Sequence, residues 1–265
     1  MLKVTGLVLG AALAATVSLA QPALASSQTS WVQGGEYRLK VEISRGARAT
    51  DSPVLLVALH GDLGTGAQDA LAETAAKDAD VIGVGLLRPG YTDSQGNTSQ
   101  GQKGLTTGDN YNARNTDAIA AAVVGLQHQF HARKTVLTGH SGGAAIVANI
   151  LGRHPGIADA ALLVSCPCDV DTWRQHMLER THFEGFRGKI DTLSPLSLLE
   201  SVSNRVTVTL VVGTKDEVAP PSLSERYRDR AVQLGKQVHL VELDGKDHEI
   251  ALDPAVLSEL APLLR

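Results

Sequence analysis

Short, almost wholly apolar runs recur along this chain, separated by longer stretches of helical periodicity, and that alternation leaves few folds open. The runs lie at 54–59, 81–87, 135–138, 160–165, 206–212 and 238–243. A strand with one wet face alternates polar and apolar residues, whereas a strand covered on both faces has no need to. Several of these runs are apolar throughout, which predicts strands buried on both sides. Helical patterns at 67–77, 117–130, 142–153, 222–234 and 254–264 fall between them. Strand and helix in turn build a mainly parallel sheet with helices on both faces, so the expected class is α/β. Residues 37–43 alternate instead, which predicts an antiparallel edge strand ahead of the parallel core.

Two segments break the rhythm. Residues 91–111 are rich in Gly, Ser, Thr, Asn and Gln and read as a long polar loop. Residues 169–204 carry Trp173, Met177, Phe183 and Phe186 among charges and read as a small helical cap over the strand ends.

The first 25 residues read as an address. Lys3 gives a positive start, residues 4–20 are apolar, and Ala23-Leu24-Ala25 forms an A-x-A cleavage site before Ser26. A signal peptide at 1–25 and one domain at 26–265 are therefore expected, exported to a periplasm or the extracellular space, with no stable membrane anchor. About 240 residues remain, ample for a single core. The formal net charge of −4, with scattered basic residues and 3% aromatics, argues against a nucleic-acid partner. Cys166 and Cys168 are the only cysteines, and in an oxidising compartment a bridge between them is favoured over free thiols. They lack the further ligands of a metal site, so no metal and no cofactor is expected.

Gly139-His140-Ser141-Gly142-Gly143 matches G-x-S-x-G. Chance produces such a pentapeptide in roughly one chain in six of this composition, so context has to decide. Here it follows a strand pattern and opens a helical one, the strand-turn-helix that thrusts a serine above a sheet. Ser141 is thus the expected nucleophile. A serine hydroxyl needs a base to take its proton, and the base needs an acid to fix its tautomer. In a fold of this kind they follow later in the chain, acid first. Asp216 lies just past the run at 206–212 and His248 just past 238–243, and they are the expected acid and base. Glu217, Asp244 and Asp247 are neighbouring alternatives for the acid. His60, at the end of the first parallel strand, is expected to brace its loop, and His140 to pack beside the nucleophile. His128, His131, His154, His176, His182 and His239 read as solvated or capping residues. For the oxyanion, the backbone N–H groups of Gly142 and Asp62 are expected as donors. The Asp62 side chain has the alternative of capping the helix that follows.

These motifs resemble the α/β-hydrolase superfamily: the His60-Gly61 turn, the elbow at 139–143, the acid loop at 213–220 and the terminal Asp247-His248. Arg88-Pro89-Gly90-Tyr91 is similar to a loop found in many members. Ser194-Pro195 resembles the dienelactone hydrolase and prolyl oligopeptidase branches. Cys166-Pro167-Cys168-Asp169 matches no motif of the superfamily. The resemblance implies an α/β-hydrolase fold and hydrolysis through Ser141, His248 and Asp216. A small-molecule ester is the first expectation for the substrate. Peptide hydrolysis of the prolyl oligopeptidase or aminopeptidase type is the alternative, with Glu179, Glu184 or Asp191 available to meet a substrate amine. A non-catalytic binding protein retaining the fold is the remaining alternative.

Overall fold

The computed structural model describes residues 27–77, 79–104 and 107–265. The expected signal peptide lies outside the described residues, apart from which no described helix is long and apolar enough to cross a membrane. Among the described residues eight strands form one sheet: β1 (Ser27–Gly34), β2 (Tyr37–Arg45), β3 (Val54–Leu59), β4 (Val81–Leu86), β5 (Lys134–His140), β6 (Ala160–Val164), β7 (Thr207–Gly213) and β8 (Gln237–Leu243). Their order is β1-β2-β4-β3-β5-β6-β7-β8; β2 runs antiparallel to both its neighbours, β1 and β4, and all other neighbouring strands pair parallel.

The apolar runs become strands because they are covered twice. In β3, Leu55, Val57 and Leu59 enter one core while Val54, Leu56 and Ala58 enter the other. The first core lies under α2 (Ala113–Phe130), α3 (Gly142–Arg153) and α6 (Pro221–Gln233). The second lies under α1 (Ala67–Ala76) and α7 (Pro254–Leu260). From β3 the chain first adds β4 on one side and then returns to add β5 on the other. That reversal opens a crevice at the strand ends, where α/β sheets bind ligands.

Three expectations change. The strand at 37–43 is antiparallel but not an edge: β2 lies between β4 and β1, and β1 forms the edge. Strand β1 went unread because its sequence, SQTSWVQG, is polar and its first half is exposed, so it carries little apolar signal. A tight turn at Gly35, with φ 58°, joins it to β2. The helix expected at 254–264 divides at Leu260 into α7 and a 3-10 turn, Ala261–Leu264. Pro262 within that segment supplies no N–H for a continuing helix. The described residues of the loop at 91–111 form no helix or named strand, yet Tyr91, Ser99, Asn110 and Tyr111 are buried. Its polar groups serve the interior: Ser99 Oγ donates to the Leu87 carbonyl at 2.7 Å and accepts from Lys40 N–H at 2.9 Å.

Residues 169–204 hold α4 (Val170–Thr181), a 3-10 turn at Glu184–Phe186, the short α5 (Pro195–Leu198) and a 3-10 turn at Leu199–Ser201. Asp169 caps α4 by accepting from Thr172, while His182 closes it in a left-handed conformation, as His131 closes α2.

Candidate active site

Strand β5 runs directly into α3 through Ser141, whose φ of 54° and ψ of −121° are unusual for a residue with a side chain. Such a conformation costs on the order of 1–3 kcal/mol and persists only where the surroundings impose it. Ser141 N–H donates to the Val164 carbonyl at 2.8 Å, tying the turn to β6. The flanking glycines are steric necessities. A Cβ on Gly139 would strike the backbone of Gly143, and one on Gly143 would strike the carbonyls of Leu59 and His60.

Asp216 follows β7 and His248 follows β8, and the sheet brings the two loops together. His248 Nδ1 lies 2.8 Å from Asp216 Oδ2 and 3.0 Å from Oδ1. Both residues are buried. Asp216 Oδ1 also accepts from the backbone N–H groups of Val218, at 2.9 Å, and Ala219, at 2.8 Å. The alternatives for the acid sit elsewhere: the Glu217 carboxylate meets Arg180, Asp244 meets Thr214, and Asp247 accepts from the Glu249 N–H. Ser141 and His248 line one pocket.

His140 packs beside His248, with ring centroids 4.9 Å apart. Its Nε2 donates to the His248 carbonyl at 2.8 Å, and Ser165 Oγ donates to the same oxygen at 3.1 Å. Burial keeps the His140 imidazole below its ordinary range. Residues His140, His248 and Glu249 place potential ligand atoms within 4.8 Å of one another, the grouping among the described residues with the donors for a metal ion. Two of its three side chains already hold the hydrogen bonds just described.

His60 braces its loop. Its Nε2 accepts from Arg88 N–H at 3.0 Å, so Nδ1 carries the proton and donates to the Gly61 carbonyl at 2.7 Å. Burial, with the Arg88 charge adding to it, pushes this imidazole down to about 3. The unfolded chain therefore binds a proton below pH 6.5 that the folded chain refuses, so His60 contributes instability that grows as pH falls from 6.5 toward about 3. Down to about pH 4 the loss is on the order of 3 kcal/mol. Urea titrations across that range are expected to show a shallower fall in unfolding free energy for His60→Asn than for the parent. Equal slopes would remove His60 as the cause.

The Asp62 side chain does not cap α1, whose N-cap is Gly66 without a side-chain bond. Instead Asp62 Oδ1 accepts from Arg88 Nη1 at 2.9 Å and Oδ2 from Tyr111 Oη at 2.7 Å. Arg88 is fully buried and also donates to the His60 carbonyl and Asn110 Oδ1. Burial opposes the Arg88 charge, but Asp62 more than restores it and the pKa is raised. Burial, then the Asp62 charge, pushes the Tyr111 hydroxyl well above its usual value. A Cβ on Gly142 would strike Asp62 Oδ1, and Gly61 approaches Ser141 so closely that its own Cβ would lie 3.3 Å from that of Ser141. The loop after β3 is thus clamped against the start of α3. Sequence reasoning missed Arg88, Asn110 and Tyr111 in this network; the Arg-Pro-Gly-Tyr motif was the available signal.

The sequence model of the prolyl oligopeptidase family matches residues 91–264, well over half of the chain. The chain belongs to the prolyl oligopeptidase family. Its fold is accordingly an α/β-hydrolase fold and its class that of the serine hydrolases. Among solved structures, an esterase of Pyrococcus furiosus superposes with a TM-score of 0.69 at 13% identity, covering 91% of this chain and 90% of that one. Proline iminopeptidase of Mycobacterium smegmatis gives 0.66 at 15%, covering 90% and 97%. Acylaminoacyl peptidase of Pyrococcus horikoshii gives 0.67 at 13%, covering 91% of this chain. This chain spans 40% of the length of that peptidase. No curated protein sequence matches it.

Within this family member, the pocket beside Ser141 encloses ≈ 220 Å³. Leu71 and Val164 line it from the body, and Trp173, Met177 and Phe186 from the segment expected as a cap. Phe183 is exposed and does not line it, although it packs edge-on against Phe186 at 5.9 Å between ring centroids. Nor do Glu179, Glu184 or Asp191 line it. Cys166 and Cys168 form a disulfide, fully buried, in the segment leading from β6 to α4. It directly follows Ser165, which braces the His248 carbonyl.

Proposed function

We propose that this chain is an exported carboxylic ester hydrolase working through an acyl-enzyme on Ser141. The observation that carries the reading is the contact of Asp216 with His248, whose side chain lines the same pocket as a strained Ser141. His248 takes the hydroxyl proton as Ser141 attacks the ester carbonyl. The backbone N–H of Gly142, which opens α3 and so has no partner within the helix, meets the oxyanion together with that of Asp62. As the tetrahedral intermediate collapses, the C–O bond breaks and His248 gives its proton to the departing alcohol. Water then attacks the acyl-enzyme under the same base and frees the acid. The Asp62 carboxylate lies beside Gly142, and its charge is balanced by Arg88. Export rests on the leader pattern at 1–25 and suits a chain with a disulfide.

Peptide hydrolysis is the second reading, and family membership favours it. Against it stands the apolar pocket, which none of the three acids expected to meet a substrate amine lines. A panel of p-nitrophenyl acyl esters and aminoacyl p-nitroanilides separates the two. Small and medium acyl esters are expected to have the higher kcat/KM, and an anilide exceeding the best ester would reverse the ranking.

A further inference from the structure

We propose that the site selects substrates carrying a positive charge on the leaving-group side of the scissile bond, with Glu249 holding that charge. This deepens the hydrolase reading and rests on it. The argument begins with the charges lining the pocket. No described lysine or arginine lines it, and its carboxylates are those of Asp62 and Glu249.

The two differ in what surrounds them. Asp62 is buried and already answered by the Arg88 guanidinium and the Tyr111 hydroxyl, so it has little attraction left for a ligand. Glu249 is exposed, and among the described residues no side chain donates to its carboxylate or pairs with it. The nearest lysine in sequence, Lys246, is drawn off by Asp253 at 2.7 Å. The pocket therefore presents one uncompensated negative charge and no positive one.

Its position says which part of a substrate meets it. The Glu249 carboxylate lies within 4.8 Å of a ring nitrogen of His248 and of one of His140, both of which line the pocket. His248 is the group that passes its proton to the departing fragment, so a charge beside its ring lies beside that fragment rather than deep in the acyl pocket. Trp173, Phe186, Met177, Leu71 and Val164 leave the acyl side apolar. An ammonium or guanidinium on the leaving group, separated from the ester by two or three bonds, would reach the carboxylate. At that range an opposite charge meeting an exposed carboxylate changes kcat/KM by about fivefold.

The test compares the choline ester and the 3,3-dimethylbutyl ester of one short fatty acid, which have the same shape and differ in a quaternary nitrogen for a carbon. The readout is the ratio of their kcat/KM values, from which any general change at His248 cancels. At low salt the ratio is expected to favour choline by about fivefold. It should shrink severalfold toward about 0.5 M salt, where the Debye length falls below about 5 Å. In Glu249→Gln it is expected to fall close to unity. A ratio near unity in the parent protein, or one unchanged in Glu249→Gln, overturns the proposal while leaving the hydrolase reading intact. Failure of the parent to turn over either ester sinks both.

Discussion

Ser141→Ala is expected to fold as the parent does and to lose about 10⁶-fold in kcat on activated esters. The side chain removed makes none of the turn's hydrogen bonds: the elbow is tied by Ser141 N–H to Val164 and by Ser141 carbonyl to the N–H groups of Ala144 and Ala145. Alanine keeps all three. It is also smaller than serine, so the contact with Gly61 does not tighten. What disappears is the atom that forms the acyl bond, leaving catalysis to the oxyanion donors and to binding alone. A fluorophosphonate probe gives a second readout, because labelling requires the activated hydroxyl. The parent should be labelled and Ser141→Ala should not. Hydrolysis by purified Ser141→Ala at close to the parent rate would end the assignment, and absence of labelling in the parent would favour a binding protein that merely retains the fold.

A base that accepts the serine proton must be a neutral imidazole, the role proposed for His248. Two other imidazoles lie near the site. His60 is held down to about 3 by burial and Arg88, and burial keeps His140 below its ordinary range.

The parts of this molecule that could be read in advance are those written in local pattern. Continuous apolar runs mark strands with two covered faces, and β3 does divide its residues between two cores. The glycines at 139 and 143 are legible because a tight turn admits no side chain there. Asp216 could be separated from Glu217 only weakly by sequence, since both follow the same strand. The fold separates them by burial: one carboxylate turns inward to His248 and the other outward to Arg180. What stayed hidden depends on distance along the chain. The partners of Asp62 are 26 and 49 residues away, so nothing beside it distinguishes a helix cap from a buried ion pair. Likewise the polar composition of residues 91–111 gives no hint that Asn110 and Tyr111 face inward, because a buried polar residue looks like a solvated one until its partner is known. Strand β1 was illegible for another reason: backbone pairing with β2 and packing on α2 hold a strand whose sequence offers only Trp31 and Val32 as large apolar side chains.

Asp216→Asn is expected to fold and to lose about 10⁴-fold in kcat, and the geometry explains why so small a change should matter. Oδ1 of Asp216 accepts two backbone N–H groups, from Val218 and Ala219. An asparagine amide nitrogen cannot take that place, because donor would face donor twice. The asparagine oxygen must therefore occupy it, which sends the NH₂ to the position of Oδ2, 2.8 Å from His248 Nδ1. There, at the shorter of the two contacts, it can only donate, which favours Nδ1 as acceptor over the 3.0 Å bond to the retained oxygen and moves the ring proton to Nε2. A ring protonated at Nε2 cannot take the proton of Ser141. The side chain is present, buried and hydrogen-bonded, but in the wrong tautomer. Glu217→Gln is the matched control: its carboxylate is exposed, meets Arg180 at 3.3 Å, and should change kcat less than twofold, within the usual effect of an exposed pair. Circular dichroism and thermal melting establish that both variants are folded before rates are compared. Retention of activity by folded Asp216→Asn, with loss in Glu217→Gln, would transfer the acid's role to Glu217 and with it the orientation of His248.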